Sequence, residues 1–140
     1  MDKHCPVTGV NIPRFLASAA AGFVFIFVSD FVIHGQILAD TYAQTPDLWR
    51  PHDEMIMEWM MGGQILLALI TAFIFTRNYE GKGLKEGLRF GIMLGALFAV
   101  MMSFSYAWMP ISLMLALSWA ASGIVQGLGL GIIFALIYRK

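Results

Sequence analysis

The sequence predicts an all-α membrane protein, a four-transmembrane-helix bundle in which residues 1–140 form one integral membrane domain. Of the residues, 59% are hydrophobic and only 13% are charged, which leaves too few polar side chains to cover a soluble domain of this length. The apolar residues are gathered into four stretches, each long enough at about 1.5 Å per residue to cross a hydrocarbon layer ~30 Å thick. These predicted spans are residues 13–34, 55–76, 88–109 and 112–138.

The first span is predicted to be an uncleaved helix rather than a signal peptide. The opening segment "MDKHCPVTGVNIPRFLASAAAG" does combine basic residues with a tract of small ones. However, the apolar run continues through Val28 without a cleavage-like site after it. Asn11 suits the N-cap of this helix, and Pro13 suits its first turn.

The basic residues predict the orientation of the four spans. Only Arg50 lies in the connection between the first two spans, residues 36–54, and the last connection, "WMPIS", has no Lys or Arg. Since basic residues stay on the cytoplasmic side, both termini are expected to be cytoplasmic and residues 36–54 to form an outer loop. The other eight basic residues share the cytoplasmic side: Lys3, Arg14, Arg77, Lys82, Lys85, Arg89, Arg139 and Lys140.

Glycines recur at every fourth residue in the third and fourth spans. Such a stripe removes the side chains from one helix face and lets two backbones approach closely. The pattern predicts a tight antiparallel pair of helices joined around Pro110. The "GLGLG" at residues 127–131 is not a phosphate loop, because it lies inside a span and lacks the Lys and Ser or Thr of such loops. The two stripes are Gly87, Gly91 and Gly95, and Gly123, Gly127 and Gly131.

Asp30 and His34 lie one helical turn apart near the end of the first span, in "FVSDFVIHGQ". An aspartate in the middle of a membrane helix costs about 2.5 to 3.5 kcal/mol, and less toward the interface, so a partner is expected. His34, Arg50 or water in a cleft could compensate it. Three interpretations remain open: a structural ion pair or hydrogen bond, which we favour, a proton or ion pathway, and a metal or substrate site.

Further candidate ligands lie where the second span begins, in "PHDEMIMEWMM". His52, Glu54 and Glu58 are expected at about the level of His34, and His with carboxylates can hold a divalent metal, although the spacing matches no recognised motif. Met57 and Met61 share one helix face, and thioethers are soft ligands for Cu(I). Methionine is also an ordinary filler of helix interfaces, which is the interpretation we favour.

Two further patterns concern the ends and the interior of the bundle. Leu38 and Tyr42 continue the spacing of Asp30 and His34, so the first helix is expected to run beyond the membrane and stop at Thr45 and Pro46. Tyr42 is counted among the aromatic residues expected at the membrane interface. Inside the bundle, the stripe of Ser118, Ser122 and Gln126, with Gln64 across from it, predicts hydrogen bonds between helices or the polar lining of a small cavity.

The chain resembles a group of small bacterial four-helix membrane proteins of unassigned function. The resemblance covers most of the chain in length and number of spans, and it implies a bacterial cytoplasmic membrane but no particular activity. It rests on His34, Gly35, Leu38, Tyr42, Leu48, Trp49, Arg50 and Pro51, and on the series Gly81, Gly83, Gly87 and Gly91.

The sequence favours a non-catalytic membrane protein over an enzyme. No nucleophile with a base, haem-binding histidine pair within the bilayer or nucleotide loop is visible. A net charge of zero without a basic patch argues against nucleic acid. The expected partners are the lipid bilayer and either further copies of the chain or another membrane protein. The alternative is a small transporter, or a protein that handles protons, copper or another divalent metal.

Overall fold

The protein is a bundle of four long helices, as the sequence predicts, and the computed structural model describes residues 4–138 of it. The structure is 79% helical, without a β-strand in the described part. Lys3, Arg139 and Lys140, three of the basic residues predicted to lie on the cytoplasmic side, are outside the described residues. The long helices are α1 (Ile12–Val32), α3 (Met57–Arg77), α4 (Leu84–Ser103) and α5 (Leu113–Ile137), and a short helix α2 (Ala39–Ala43) follows α1.

Helix α1 begins where the sequence predicts, because the Asn11 side chain accepts a hydrogen bond of 3.2 Å from the backbone N–H of Arg14. At its other end the helical run reaches α2, but not as one α-helix. Residues Ile33–Ile37 form a π-helix, a wider turn, and Leu38 (φ −97°, ψ 2°) separates it from α2. The expectation that the first helix continues to Thr45 is therefore wrong in one respect: the helical run is interrupted by the π-helix and by Leu38.

The third long helix begins at Leu84, four residues before the predicted span. Gly81 and Gly83 have positive φ values of 85° and 61°, which favour glycine, and they turn the chain between α3 and α4. The buried Glu86 carboxylate holds this turn by accepting hydrogen bonds from the backbone N–H groups of Glu80 (2.7 Å) and Lys82 (3.1 Å).

The helices pack in the order α3, α1, α5, α4, so that α1 lies between α3 and α5. At one end, which we call the termini end, rings close the bundle: Phe75 of α3 lies 5.3 Å from Phe90 of α4 and 5.9 Å from Phe134 of α5, between ring centroids. The opposite end, which we call the loop end, carries residues 38–56. The closed aromatic core thus sits at the termini end.

The backbones of α4 and α5 touch along the two glycine stripes. A Cβ atom added to Gly127 would lie 2.2 Å from the backbone nitrogen of Gly95, and one added to Gly87 would lie 2.4 Å from the carbonyl oxygen of Gly131. Gly91 faces the Gly127 carbonyl oxygen in the same way, at 2.9 Å. No side chain larger than hydrogen fits between these backbones.

The outer surface of the bundle is apolar. Four helical segments are long and apolar enough to cross a membrane, residues 12–37, 57–77, 84–107 and 113–137. Large apolar side chains such as Val24, Ile92 and Leu117 are more than half exposed on them. In water this surface would be unfavourable, whereas in hydrocarbon it is the expected one. The chain is therefore a multi-pass membrane protein.

Candidate functional site: a carboxylate joining three helices

Asp30 connects three of the four long helices through its carboxylate. The side-chain nitrogen of Gln64, on α3, donates a hydrogen bond of 2.7 Å to Asp30 Oδ2. The side-chain nitrogen of Gln126, on α5, donates one of 2.5 Å to Asp30 Oδ1. We call these three residues the Asp30 contact. Each carboxylate oxygen accepts a bond from a different helix, which compensates a charge that would otherwise be costly in the membrane.

Both amides of the Asp30 contact are buried, so their placement is constrained. A buried polar group in a membrane must find its partner within the protein, because no bulk water is present. Gln126 also donates to Ser29 Oγ at 3.3 Å, and that hydroxyl donates in turn to the Ile26 carbonyl at 3.0 Å. The polar groups of α1 and α5 therefore bond to one another at this level.

A second set of polar groups extends from Asp30 toward the loop end. His34 lies in the π-helix, with its Nε2 atom 4.0 Å from Asp30 Oδ1. Its Nδ1 atom lies 2.6 Å from the Tyr42 hydroxyl, which also accepts a hydrogen bond of 2.7 Å from the Trp119 indole nitrogen. Tryptophan can only donate, so the Tyr42 hydroxyl accepts from Trp119 and keeps its own proton available for His34 Nδ1. In the tautomer that accepts this proton, neutral His34 carries its own proton on Nε2, toward Asp30.

Aromatic rings enclose Tyr42. Trp49, from the loop, packs edge-on against Tyr42 at 5.0 Å and against Trp119 at 6.1 Å between ring centroids. The Trp49 indole nitrogen donates to Thr45 Oγ1 at 3.2 Å. Burial among these rings raises the pKa of Tyr42 above its ordinary value, and the Asp30 charge adds to this, whereas the Trp119 hydrogen bond opposes it. Tyr42 therefore keeps its proton at neutral pH.

The other predicted site residues do not join this network. His52 and Glu54 lie in an exposed 3₁₀-helix, and Glu58 is exposed in the first turn of α3. Met57 and Met61 are exposed on α3 as well. Among residues 4–138, no three His, Cys, Asp or Glu side chains come close enough to hold a metal ion. Of the five candidate polar residues, the structure brings together only Asp30 and His34.

The sequence contains the signal for the partners of Asp30 but not for their pairing. It predicts a separate polar stripe for Gln64 and Gln126, although a carboxylate in a membrane needs donors and these are amide donors within the predicted spans. The sequence places Tyr42 at the membrane interface and does not mark Trp119 as a site residue. Their contact depends on the π-helix and on the path of the loop, which no residue pattern in the chain indicates.

The arrangement allows two kinds of chemistry. The Asp30 contact can hold α1, α3 and α5 together, and the groups from Asp30 through His34 to Tyr42 can each accept or donate a proton.

No protein-family model, no curated protein and no solved structure matches the chain.

Proposed function

We propose that the chain is a non-catalytic integral membrane protein, an accessory, assembly or scaffolding component of a membrane complex. The observation that carries this proposal is that both oxygens of the Asp30 carboxylate accept hydrogen bonds from other helices of the same chain. The carboxylate is thereby engaged within the fold, as expected of a group that fixes helices, whereas a nucleophile or a base must be free to meet a substrate.

The loop end of α3 supports a role in assembly. Every residue from 57 to 63 is exposed, including Trp59 at 83%. A Cβ atom added to Gly62 or Gly63 would meet nothing within 4 Å. The rest of the described chain leaves these two turns of α3 uncovered, and their glycines would allow a neighbouring helix to approach closely. We infer that a second membrane protein or a further copy of the chain packs in this region.

We further propose that the protein resides in the cytoplasmic membrane of a bacterium with both termini in the cytoplasm. The charges at the two ends support this orientation. Arg77, Lys82, Lys85 and Arg89 are exposed at the termini end, as expected for the cytoplasmic side. The exposed charges of the loop end are mainly acidic: Asp40, Asp47, Asp53, Glu54 and Glu58 against Arg50.

Replacing the Asp30 charge tests the structural role. Asp30→Asn keeps the shape of the side chain but turns two charge-assisted hydrogen bonds into neutral ones at best. We expect the free energy of unfolding to fall by roughly 1 to 2 kcal/mol. We also expect less of the chain to co-purify with its membrane partners, as measured by native mass spectrometry in mild detergent.

The matched control for this experiment is Asp40→Asn, because Asp40 is exposed on α2 and makes no bond to another described side chain. It should change neither stability nor co-purification. The proposal is wrong if Asp30→Asn leaves both unchanged while it abolishes ion or proton movement in proteoliposomes.

A second candidate function, a small proton-handling transporter, is favoured by the polar groups that extend from Asp30 through His34 to Tyr42. Such a line is the kind of arrangement along which protons move in membrane proteins. The test is proton flux into proteoliposomes, followed with a pH-sensitive dye. This function requires flux that stops in His34→Gln while the unfolding temperature stays unchanged; absence of flux in the native protein refutes it.

A further inference from the structure

Arg14 is a cation within a membrane-spanning helix, and the described chain gives it no counterion. It lies half-buried in the first turn of α1, inside the segment 12–37 that is apolar enough to cross a membrane. Its guanidinium group makes no hydrogen bond or ion pair with residues 4–138. A charge in such a segment is costly unless it is paired or reaches the membrane interface. An anion bound at this position would therefore be stabilising.

The carboxylates at the termini end are already engaged elsewhere. Glu80 pairs with Lys82 and with Arg89, whose guanidinium nitrogen lies 3.1 Å from a carboxylate oxygen. The buried Glu86 carboxylate accepts two backbone N–H bonds in the turn between α3 and α4. The first turn of α1 has no acidic residue, so Arg14 adds its charge to the positive end of the helix dipole. Within residues 4–138, this end of the bundle has no free carboxylate for Arg14.

An open apolar groove of about 500 Å³ lies on the outer face of α1. Phe25 forms one of its walls, and α5 holds this ring in place, because a Cβ atom added to Gly129 would collide with it. The alanines of the lining leave space beside the ring. The groove is lined by Ala20, Ala21, Val24, Phe25 and Val28.

Arg14 lies in line with this groove. Arg14, Ala21 and Val28 follow one another at intervals of seven residues, which is close to two helical turns, so they share one side of α1. At about 1.5 Å per residue, the groove extends from ~9 Å to ~21 Å from Arg14 toward the loop end. The hydrocarbon of one leaflet is about 15 Å thick, half of the whole layer. A lipid whose phosphate meets Arg14 therefore carries its acyl chains to the level of the groove.

The size of the groove favours an acyl chain over a helix. The lining extends over about 12 Å of α1, so its volume corresponds to a channel roughly 7 Å across. A helix with its side chains is about 10 to 12 Å wide and does not fit into such a channel, whereas an alkyl chain does. The lining side chains are all apolar and offer no hydrogen bond to a polar ligand.

We propose that Arg14 and the groove together bind one anionic phospholipid, with its phosphate on the guanidinium group and an acyl chain in the groove. Arginine can form two parallel hydrogen bonds with a phosphate. A zwitterionic lipid brings its own cation beside the phosphate, so it compensates the charge of Arg14 less well than an anionic lipid does. The lipid belongs to the leaflet at the termini end. This inference goes beyond the proposed function and does not depend on it.

The experiment titrates the purified full chain in neutral detergent with phosphatidylglycerol or with phosphatidylcholine of the same acyl chains, and native mass spectrometry counts the bound lipids. We expect one phosphatidylglycerol to bind about tenfold more tightly than phosphatidylcholine, and Arg14→Gln to remove this preference. Arg77→Gln is the matched control, because it removes one positive charge at an exposed position of the same end. Equal binding of the two lipids by the native protein, or an equal loss in both variants, overturns the proposal.

Ala21→Phe tests the acyl chain, since its ring fills the groove and leaves Arg14 in place. We expect phosphatidylglycerol binding to weaken about tenfold. Leu16→Phe is the control, at an exposed position on another side of the same helix, and it should bind the lipid as the native protein does. Unfolding temperatures show that the variants are folded; should Ala21→Phe not fold, Val24→Phe replaces it, because Val24 is more exposed in the same groove.

Two further outcomes identify other occupants. Glycerol phosphate carries the phosphate without acyl chains, and it should not displace the bound lipid. Displacement would assign Arg14 to a free phosphate and overturn the proposal. The proposal is equally wrong if filling the groove leaves lipid binding unchanged but separates copies of the chain, because the groove would then be a contact between helices.

Discussion

The two faces of α5 hold their neighbouring helices by opposite means. Toward α4 it offers glycines, and the backbones touch because side chains are missing. Toward α1 it offers Gln126, whose amide reaches the Asp30 carboxylate and Ser29. The first contact depends on shape and dispersion and the second on a charge and its donors. The first should therefore be insensitive to pH and tolerate no added atom, whereas the second should weaken when a polar atom is lost.

Adding one methyl group to the α4 contact should have the largest effect. In Gly127→Ala the new Cβ would lie 2.2 Å from the Gly95 backbone nitrogen, so α4 and α5 must separate. We expect the free energy of unfolding to fall by about 3 kcal/mol, measured by unfolding in mixed micelles. Gly62→Ala is the control for the chain without a partner, since its Cβ meets nothing of the described chain within 4 Å and should cost the isolated fold almost nothing. Equal effects at both positions would contradict the close backbone contact.

Removing the amide on the α1 face should have the next largest effect. Gln126→Leu leaves a similar volume but takes a donor from the ionised Asp30 carboxylate, which we expect to cost about 2 kcal/mol. The same unfolding measurement applies. The control is Ser118→Ala on the same helix, because the exposed Ser118 hydroxyl bonds only to the Met114 carbonyl of its own turn. A Gln126→Leu variant as stable as this control would show that α1 is held by apolar packing alone.

Tyr42→Phe should have the smallest effect and a characteristic pH dependence. The variant loses the bonds to His34 and Trp119, and we expect a cost of about 1 kcal/mol at neutral pH. Burial raises the pKa of Tyr42 in the folded chain above its ordinary value of 10.0. As the pH rises above that value, the unfolded chain releases this proton first, and the native protein loses stability.

The Phe variant has no phenol proton to release at this position. Its free energy of unfolding should therefore differ from that of the native protein by a constant amount below about pH 9, and this difference should shrink above pH 10. Unfolding temperatures measured from pH 7 to 11 give this difference directly, because the remaining tyrosines are common to both proteins. A constant difference over the whole range would mean that the Tyr42 pKa is not raised by folding.

The sequence predicts the helices of this protein better than their contacts. Length and hydropathy determine the four spans, and Asn11 determines where the first begins, because these depend on neighbouring residues along the chain. The sequence identifies Asp30 as costly in a membrane but leaves its partners open. Gln64 and Gln126 lie 34 and 96 residues away, and their meeting depends on how three helices are rotated against one another. That rotation depends on packing over whole helix faces, and no local sequence pattern predicts it.

The π-helix at Ile33–Ile37 holds one residue more between Asp30 and Tyr42 than an ordinary α-turn would. In a regular α-helix, a change of one residue rotates everything beyond it by about 100° around the helix axis. A one-residue deletion within Ile33–Ile37 would instead be absorbed, because the wide turn closes to an ordinary α-turn and Tyr42 still faces His34 and Trp119. A related sequence that is one residue shorter in this turn can therefore keep the contact, and the exposed stretch after Trp49 is also free to gain or lose residues.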